Sequence, residues 1–153
     1  MISPLLQSKK KQIDILISEI DAFSGDPLIK AYLTYYLCVR ISGFVEDCVR
    51  TIFSSYADAN SSAHARSYIA AKLSKFPNPS MEAIFALAKE FNMTWSDDLK
   101  KKIPVPRRLS LNSVVNNRHT IAHGGTSSIT LNDIKRYYQD IIVIVQTIET
   151  CCT

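Results

Sequence analysis

The side chains best suited to chemistry crowd into one ten-residue stretch, Asn116-Asn117-Arg118-His119-Thr120-Ile121-Ala122-His123-Gly124-Gly125. It holds two of the chain's three histidines. An imidazole ordinarily titrates near neutrality and can take or give a proton, while a guanidinium can grip a phosphate through two parallel hydrogen bonds. Arg118 and His123 stand five residues apart at the end of a helical pattern, and Gly124-Gly125 stops it. Taken alone the spacing is a weak signal: a histidine in a last helical turn answers the helix dipole, and an arginine one turn earlier is commonplace. Spacing favours His123 over His119 as the working histidine. The remaining histidine, His64, stands with Arg66 apart from any other reactive group, and both read as solvated helix residues.

A second feature is basic. Lys100, Lys101, Lys102, Arg107 and Arg108 fall within nine residues and form the densest positive patch in the chain. Alone it reads as a solvated surface; beside the histidine cluster it reads as a phosphate-attracting rim. No aromatic residues interleave it to stack bases, so it gives no sign of sequence-specific reading. The net charge of +4 is a mild bias towards polyanions.

Helices must position these groups, because no segment alternates with a period of two over a useful length. The first is expected over 4–23, with Ile13, Leu16, Ile17 and Ile20 as its buried stripe. Ser24-Gly25-Asp26-Pro27 breaks the chain there. A long second helix over 27–57 carries two apolar faces, one through Leu33, Leu37, Ile41, Phe44, Cys48 and Ile52, the other through Tyr35, Val39, Val49 and Phe53. A helix apolar on more than one side is usually central. Glu46 lies in the second stripe. It either points outward as a surface carboxylate or meets a cation, for which Arg118 is the candidate. Gly43 beside it is a candidate for close helix approach.

Further helices are expected over 60–76, over 81–91 after the Pro77-Asn78-Pro79-Ser80 break, and over 94–102. An extended connector is expected over 103–108, then the motif helix over 110–123. A last helix follows, capped by Thr130 or Asn132. The architecture is therefore all-α, five to six helices around the long second one, in a single domain over 1–153.

Composition sets the outer bounds. With 46% hydrophobic and 21% charged residues, the chain is too apolar for a disordered tail and too mixed for a membrane protein. The run Ile141-Ile142-Val143-Ile144-Val145 is far too short to cross a bilayer. Lys9-Lys10-Lys11 follows an apolar start rather than preceding it, so no signal peptide is expected. Cys38 and Cys48 sit too far apart on one helix to bridge, Cys151 and Cys152 are adjacent, and no zinc spacing appears. The four read as reduced thiols of a cytoplasmic protein.

Arg-x4-His followed by Gly inside a small all-α chain resembles the HEPN family, and in particular its RiboL-PSP-HEPN branch, which tends to read Arg-Asn-x-Ile-Ala-His-Gly. Here the stretch is Arg118-His119-Thr120-Ile121-Ala122-His123-Gly124. Ser42-Gly43-Phe44-Val45-Glu46, Asn78-Pro79, Ile84, Leu87, Phe91 and Trp95 also match in order, so the similarity runs from about Tyr32 onwards. The departure is His119, where the branch usually has Asn. The resemblance implies a metal-independent endoribonuclease without cofactor, acting as a homodimer whose two motifs meet in one composite site. In that reading Arg118 and His123 are catalytic, and His119, Asn117 and Glu46 support them. Such proteins are often toxins or phage-defence effectors held inactive by a partner or antitoxin. The alternative from another class is a non-catalytic module that dimerises and binds a protein or nucleotide.

Overall fold

The computed structural model describes residues 2–153, and among them it forms seven helices and no strand. They are α1 (Pro4–Ala22), α2 (Pro27–Asn60), α3 (Ala63–Leu73), α4 (Met81–Phe91), α5 (Met93–Lys102), α6 (Val105–Ala122) and α7 (Leu131–Cys151). The all-α class is the one expected. The count is seven where five to six were expected, and the short helix expected over 94–102 is among them as α5.

Local chemistry sets most of the boundaries. Asp26, Ser62, Ser80 and Asn92 each cap a helix by accepting a backbone N–H near its start. Thr130 opens α7 with a reciprocal box, its hydroxyl accepting from the Asp133 N–H and the Asp133 carboxylate accepting from the Thr130 N–H. That exchange holds the Asp133 carboxyl below the usual carboxylate range.

One expectation is corrected here. The stretch 103–108 is not an extended connector, since α6 already starts at Val105, with Pro106 in its first turn. A proline is tolerated there because the first turn's N–H groups have no intrahelical partner to lose. Arg107 and Arg108 are therefore helical residues.

Helix α2 is the axis of the molecule. Leu37, Cys38, Ile41, Val45, Cys48, Val49 and Phe53 are all buried along it, and α1, α3, α6 and α7 pack around it. It contains a stretch apolar and long enough to cross a membrane, with a mean hydropathy of 1.2, of which 39% is buried within the fold. Side-chain pairs fix the directions. Lys9 reaches Asp47, Tyr138 reaches Asp14, and Lys135 reaches Asp21, so α1 runs antiparallel to both α2 and α7. Helix α6 is antiparallel to them too, because Ser110 meets Asp140 near its start and Asn117 meets Ser127 near its end. At one end of α2, Phe53, Tyr56, Phe91 and Trp95 form an aromatic cluster that docks α4 and α5.

Gly43 marks no close approach: a methyl group there would meet nothing within 4 Å. All four cysteines are free thiols.

Candidate active site

The motif stretch occupies the last turn of α6 and the turn after it. The helix ends in a Schellman turn: Gly124 donates its N–H to the Ile121 carbonyl at 3.1 Å, and Gly125 to the Thr120 carbonyl at 2.9 Å. Gly124 supplies the left-handed residue such a turn requires, with φ of 75°. Gly125 is needed for space, because a Cβ there would lie 2.8 Å from Thr120 Cγ2 and 3.1 Å from its carbonyl oxygen. His123 becomes the C-cap residue, its N–H still bonded to the His119 carbonyl at 3.2 Å.

Behind the turn lies a partly buried hydrogen-bond chain. Asn117 donates to the Ser113 carbonyl at 2.8 Å and accepts the Ser127 hydroxyl proton at 2.5 Å. The same Ser127 oxygen accepts from the Ile129 N–H at 3.1 Å, and the Ser127 carbonyl accepts from the Tyr35 hydroxyl at 2.5 Å. Tyr35 of α2, Asn117 of α6 and the loop before α7 are thereby tied together. Ser127 is buried although it sits in a polar loop. Neither Tyr35 nor Ser127 stood out in the sequence as a member of the site. A tyrosine in an apolar stripe reads as core, and a serine after two glycines reads as loop.

In front of the turn the side chains are open. His119 and His123 are exposed and lie against each other, ring centroids 4.4 Å apart and tilted by 60°. Four residues apart, they share a helix face, whereas Arg118 and His123 leave the helix roughly 140° apart. Arg118 is half-buried. The chain has seven arginines. Arg40, Arg50, Arg66, Arg107, Arg108 and Arg136 each donate to a side chain or carbonyl of the protein. Among the described residues Arg118 alone has no such partner.

The other expected site residues lie elsewhere. Glu46 does not meet Arg118. It pairs with Arg50 one turn on, at 2.9 Å, and accepts the Asn78 N–H at 2.7 Å. Asn78 has a positive φ of 46°, and Ser42 donates to its side-chain oxygen, so Glu46 and Ser42 hold the strained turn before α4. Glu46 lies eleven residues beyond Tyr35, about 16 Å along α2 from the motif. The arginine that Glu46 meets is Arg50, which a spacing of four residues places on the same face of α2.

The basic patch lies at the opposite end of α6, with Arg107 about 24 Å from His123 along the axis. Its two arginines are engaged within the fold. Arg108 donates to the carbonyls of Ile103 and Lys100, closing the end of α5, and Arg107 pairs with Asp140 at 3.3 Å. Lys100, Lys101 and Lys102 remain exposed. Lys100 lies over the Phe85 ring, and Lys102 reaches Cys151 Sγ at 3.4 Å. An apolar cleft of about 520 Å³, lined by Leu5, Leu6, Ile52 and Tyr56, includes none of the motif residues. No three His, Cys, Asp or Glu side chains converge among the described residues.

A helical bundle that presents an Arg-x4-His motif on a glycine-closed helix end is the architecture of a HEPN domain. The chain belongs to the RiboL-PSP-HEPN family, whose model matches residues 5–153. No curated protein and no solved structure matches it significantly.

Proposed function

We propose that this protein is a metal-independent endoribonuclease that cleaves RNA at a composite site formed by two copies of the chain, as a cytoplasmic toxin or phage-defence effector kept in check by an inhibitory partner. The observation that carries the reading is Arg118. A half-buried guanidinium without a partner in its own fold, beside two free imidazoles, is suited to take an anion.

In this reading Arg118 holds the scissile phosphate and stabilises the charge that builds on its oxygens. His123 takes the proton from the RNA 2′-hydroxyl. The 2′-oxygen forms a bond to phosphorus, the bond from phosphorus to the 5′-oxygen breaks, and a second imidazole protonates the leaving oxygen. The products are a 2′,3′-cyclic phosphate and a 5′-hydroxyl end. The angular split between Arg118 and His123 supports a site in which one copy's arginine works with the other's histidine. Leu28, Ile29, Tyr32 and Tyr36 are exposed on the first turns of α2, at the motif end of the bundle, and provide an apolar face for the second copy. Lys100, Lys101 and Lys102 would meet the RNA backbone away from the cut.

The same apolar face favours a second reading, in which the domain dimerises and binds a protein or nucleotide without catalysis. Cleavage of a mixed RNA pool in EDTA, with end-group analysis, separates the two. Wild type should leave cyclic phosphates, while Arg118→Ala and His123→Ala, still folded, should not. Equal cleavage by all three proteins, or none by any, sinks the ribonuclease reading. An interaction module would instead keep partner binding in both variants.

A further inference from the structure

Residue 119 is where this chain departs from the pattern it resembles, and the consequence is two histidines at positions i and i+4 on one exposed helix face. We infer that His119 and His123 together form a chelating site for a divalent transition-metal ion of the nitrogen-preferring class, such as Ni²⁺, Zn²⁺ or Cu²⁺, and that its occupancy switches the RNA-cleaving site off. The second part rests on the ribonuclease reading; the first does not.

The geometry suits a bidentate chelate. One helical turn separates the two residues, and the surviving N–H bond from His123 to the His119 carbonyl keeps their backbones in helical register. Two imidazole nitrogens bound to one ion, each about 2 Å from it, bring ring centres to within about 4.5–5 Å of each other. The rings already lie 4.4 Å apart. Little rearrangement is needed, and the Schellman turn limits fraying at this helix end.

The donors are also available. Neither imidazole takes a side-chain hydrogen bond among the described residues, and no carboxylate pairs with either. Two neutral imidazoles without hard oxygen donors select ions of the nickel, copper and zinc type over magnesium or calcium. No third protein ligand joins them among the described residues, so the remaining positions on the ion go to water. Such a site binds more weakly than a closed structural one, which fits a reversible switch rather than a permanent cofactor.

The effect on cleavage follows from lone pairs. An ion bound to His123 occupies the nitrogen that would take the 2′-hydroxyl proton, and its bond to His119 removes the neighbouring imidazole at the same time. A chain with asparagine at 119 would lack the second ligand and with it the switch.

The test uses untagged full-length protein titrated with Ni²⁺ in competition with a chromophoric chelator. Wild type should bind one ion per chain. His119→Asn and His123→Asn, checked by circular dichroism, should each weaken binding by at least about tenfold, one of two coordinate bonds being lost. His64→Ala, on α3, should bind as wild type. Unchanged affinity in either site variant, or an equal loss in His64→Ala, overturns the site. RNA cleavage in chelator-free buffer, with and without Ni²⁺, then tests the switch: Ni²⁺ should stop wild type, and the Ni²⁺ concentration that halves the rate, taken relative to each protein's own metal-free rate, should rise at least about tenfold in His119→Asn. Cleavage by wild type that persists at saturating Ni²⁺ overturns the switch and leaves the ribonuclease standing. Ni²⁺ binding without any cleavage in EDTA removes the ribonuclease reading, and the switch with it, and leaves the metal site.

Discussion

Replacing Asn117 by alanine tests whether the hydrogen-bond chain behind the motif holds the site together. The substitution leaves the buried Ser127 hydroxyl without its acceptor, which lies 2.5 Å away in the native fold. Stranding a buried polar group costs about 2 kcal/mol. Alanine is the better helix former by about 0.5 kcal/mol, so the net loss is about 1.5 kcal/mol. With a urea dependence of about 2 kcal/mol per molar, the unfolding midpoint should fall by about 0.7 M. Tyr35→Phe removes the donor to the Ser127 carbonyl and should cost about 1 kcal/mol. Because both side chains act by fixing Ser127, the double variant should fall short of the summed loss by roughly 0.5–1 kcal/mol. Hydrogen exchange gives a second readout: the Ile129 amide, which donates to Ser127 Oγ, should exchange faster in Asn117→Ala while core amides of α7 follow global stability. Additivity within about 0.3 kcal/mol, or a single-variant loss below about 0.5 kcal/mol, would show that the chain of bonds is not a unit.

Other substitutions and conditions should give equally definite results. Gly43→Ala lies in mid-helix with open space around the new methyl group, so it should stabilise the fold by about 1 kcal/mol and raise Tm by roughly 2–4 °C, measured by thermal melting. Gly125→Ala should lower Tm, since its Cβ would press on Thr120, and should cut cleavage by disturbing the turn that presents His123. Burial pushes the Cys38 thiol up to about 11 and the Cys48 and Cys152 thiols up to about 12 from 9.0; burial and then the bond to Asp14 also raise Tyr138. Folded-state values above the unfolded ones give stability that is complete below pH 9 and lost as pH rises towards 11. The unfolding free energy from urea titration should therefore fall steeply over that window, by about 1.4 kcal/mol per pH unit for each buried thiol; a flat pH dependence would refute the assignment. In the native protein a thiol reagent should modify Cys151, which is partly exposed, well before the three buried cysteines.

Much of this architecture was legible because helices announce themselves by period and by caps. The starts of α2, α4 and α7 follow from Asp26, Ser80 and Thr130, and the end of α6 from two glycines. The start of α6 was misread because Pro104 and Pro106 suggest an extended connector, when one stands just before the helix and the other in its first turn. What failed was pairing across space. Nothing in the sequence says that Arg108 turns back to close α5, that Glu46 is taken up by Arg50 and Asn78, or that the basic patch and the histidines lie at opposite ends of one helix. Proximity in sequence made 100–108 look adjacent to 118–123, yet the sixteen helical steps from Arg107 to His123 span about 24 Å. Tyr35 and Ser127 were invisible for a related reason: each looks ordinary until the fold brings it to Asn117.

The division between satisfied and unsatisfied polar groups runs through consecutive residues of α6. Asn117 turns into the protein and has its amide engaged on both sides, whereas Arg118, His119 and His123 have no side-chain partner at all among the described residues. Folded proteins seldom leave a half-buried charged group free, because desolvation without compensation is unfavourable. Here the rest of the chain shows how readily the fold supplies partners: Arg50, Arg107 and Arg108 have all been answered by a carboxylate or a carbonyl. The lack of an answer at Arg118 is therefore not the general condition of this protein's arginines but a local one. It coincides with the helix end where two imidazoles are also free and where two glycines and a partly buried hydrogen-bond chain hold the backbone in place. Rigid support behind and unmet hydrogen-bonding capacity in front is what a site for an external anion requires, and the proposed ribonuclease reading rests on that coincidence.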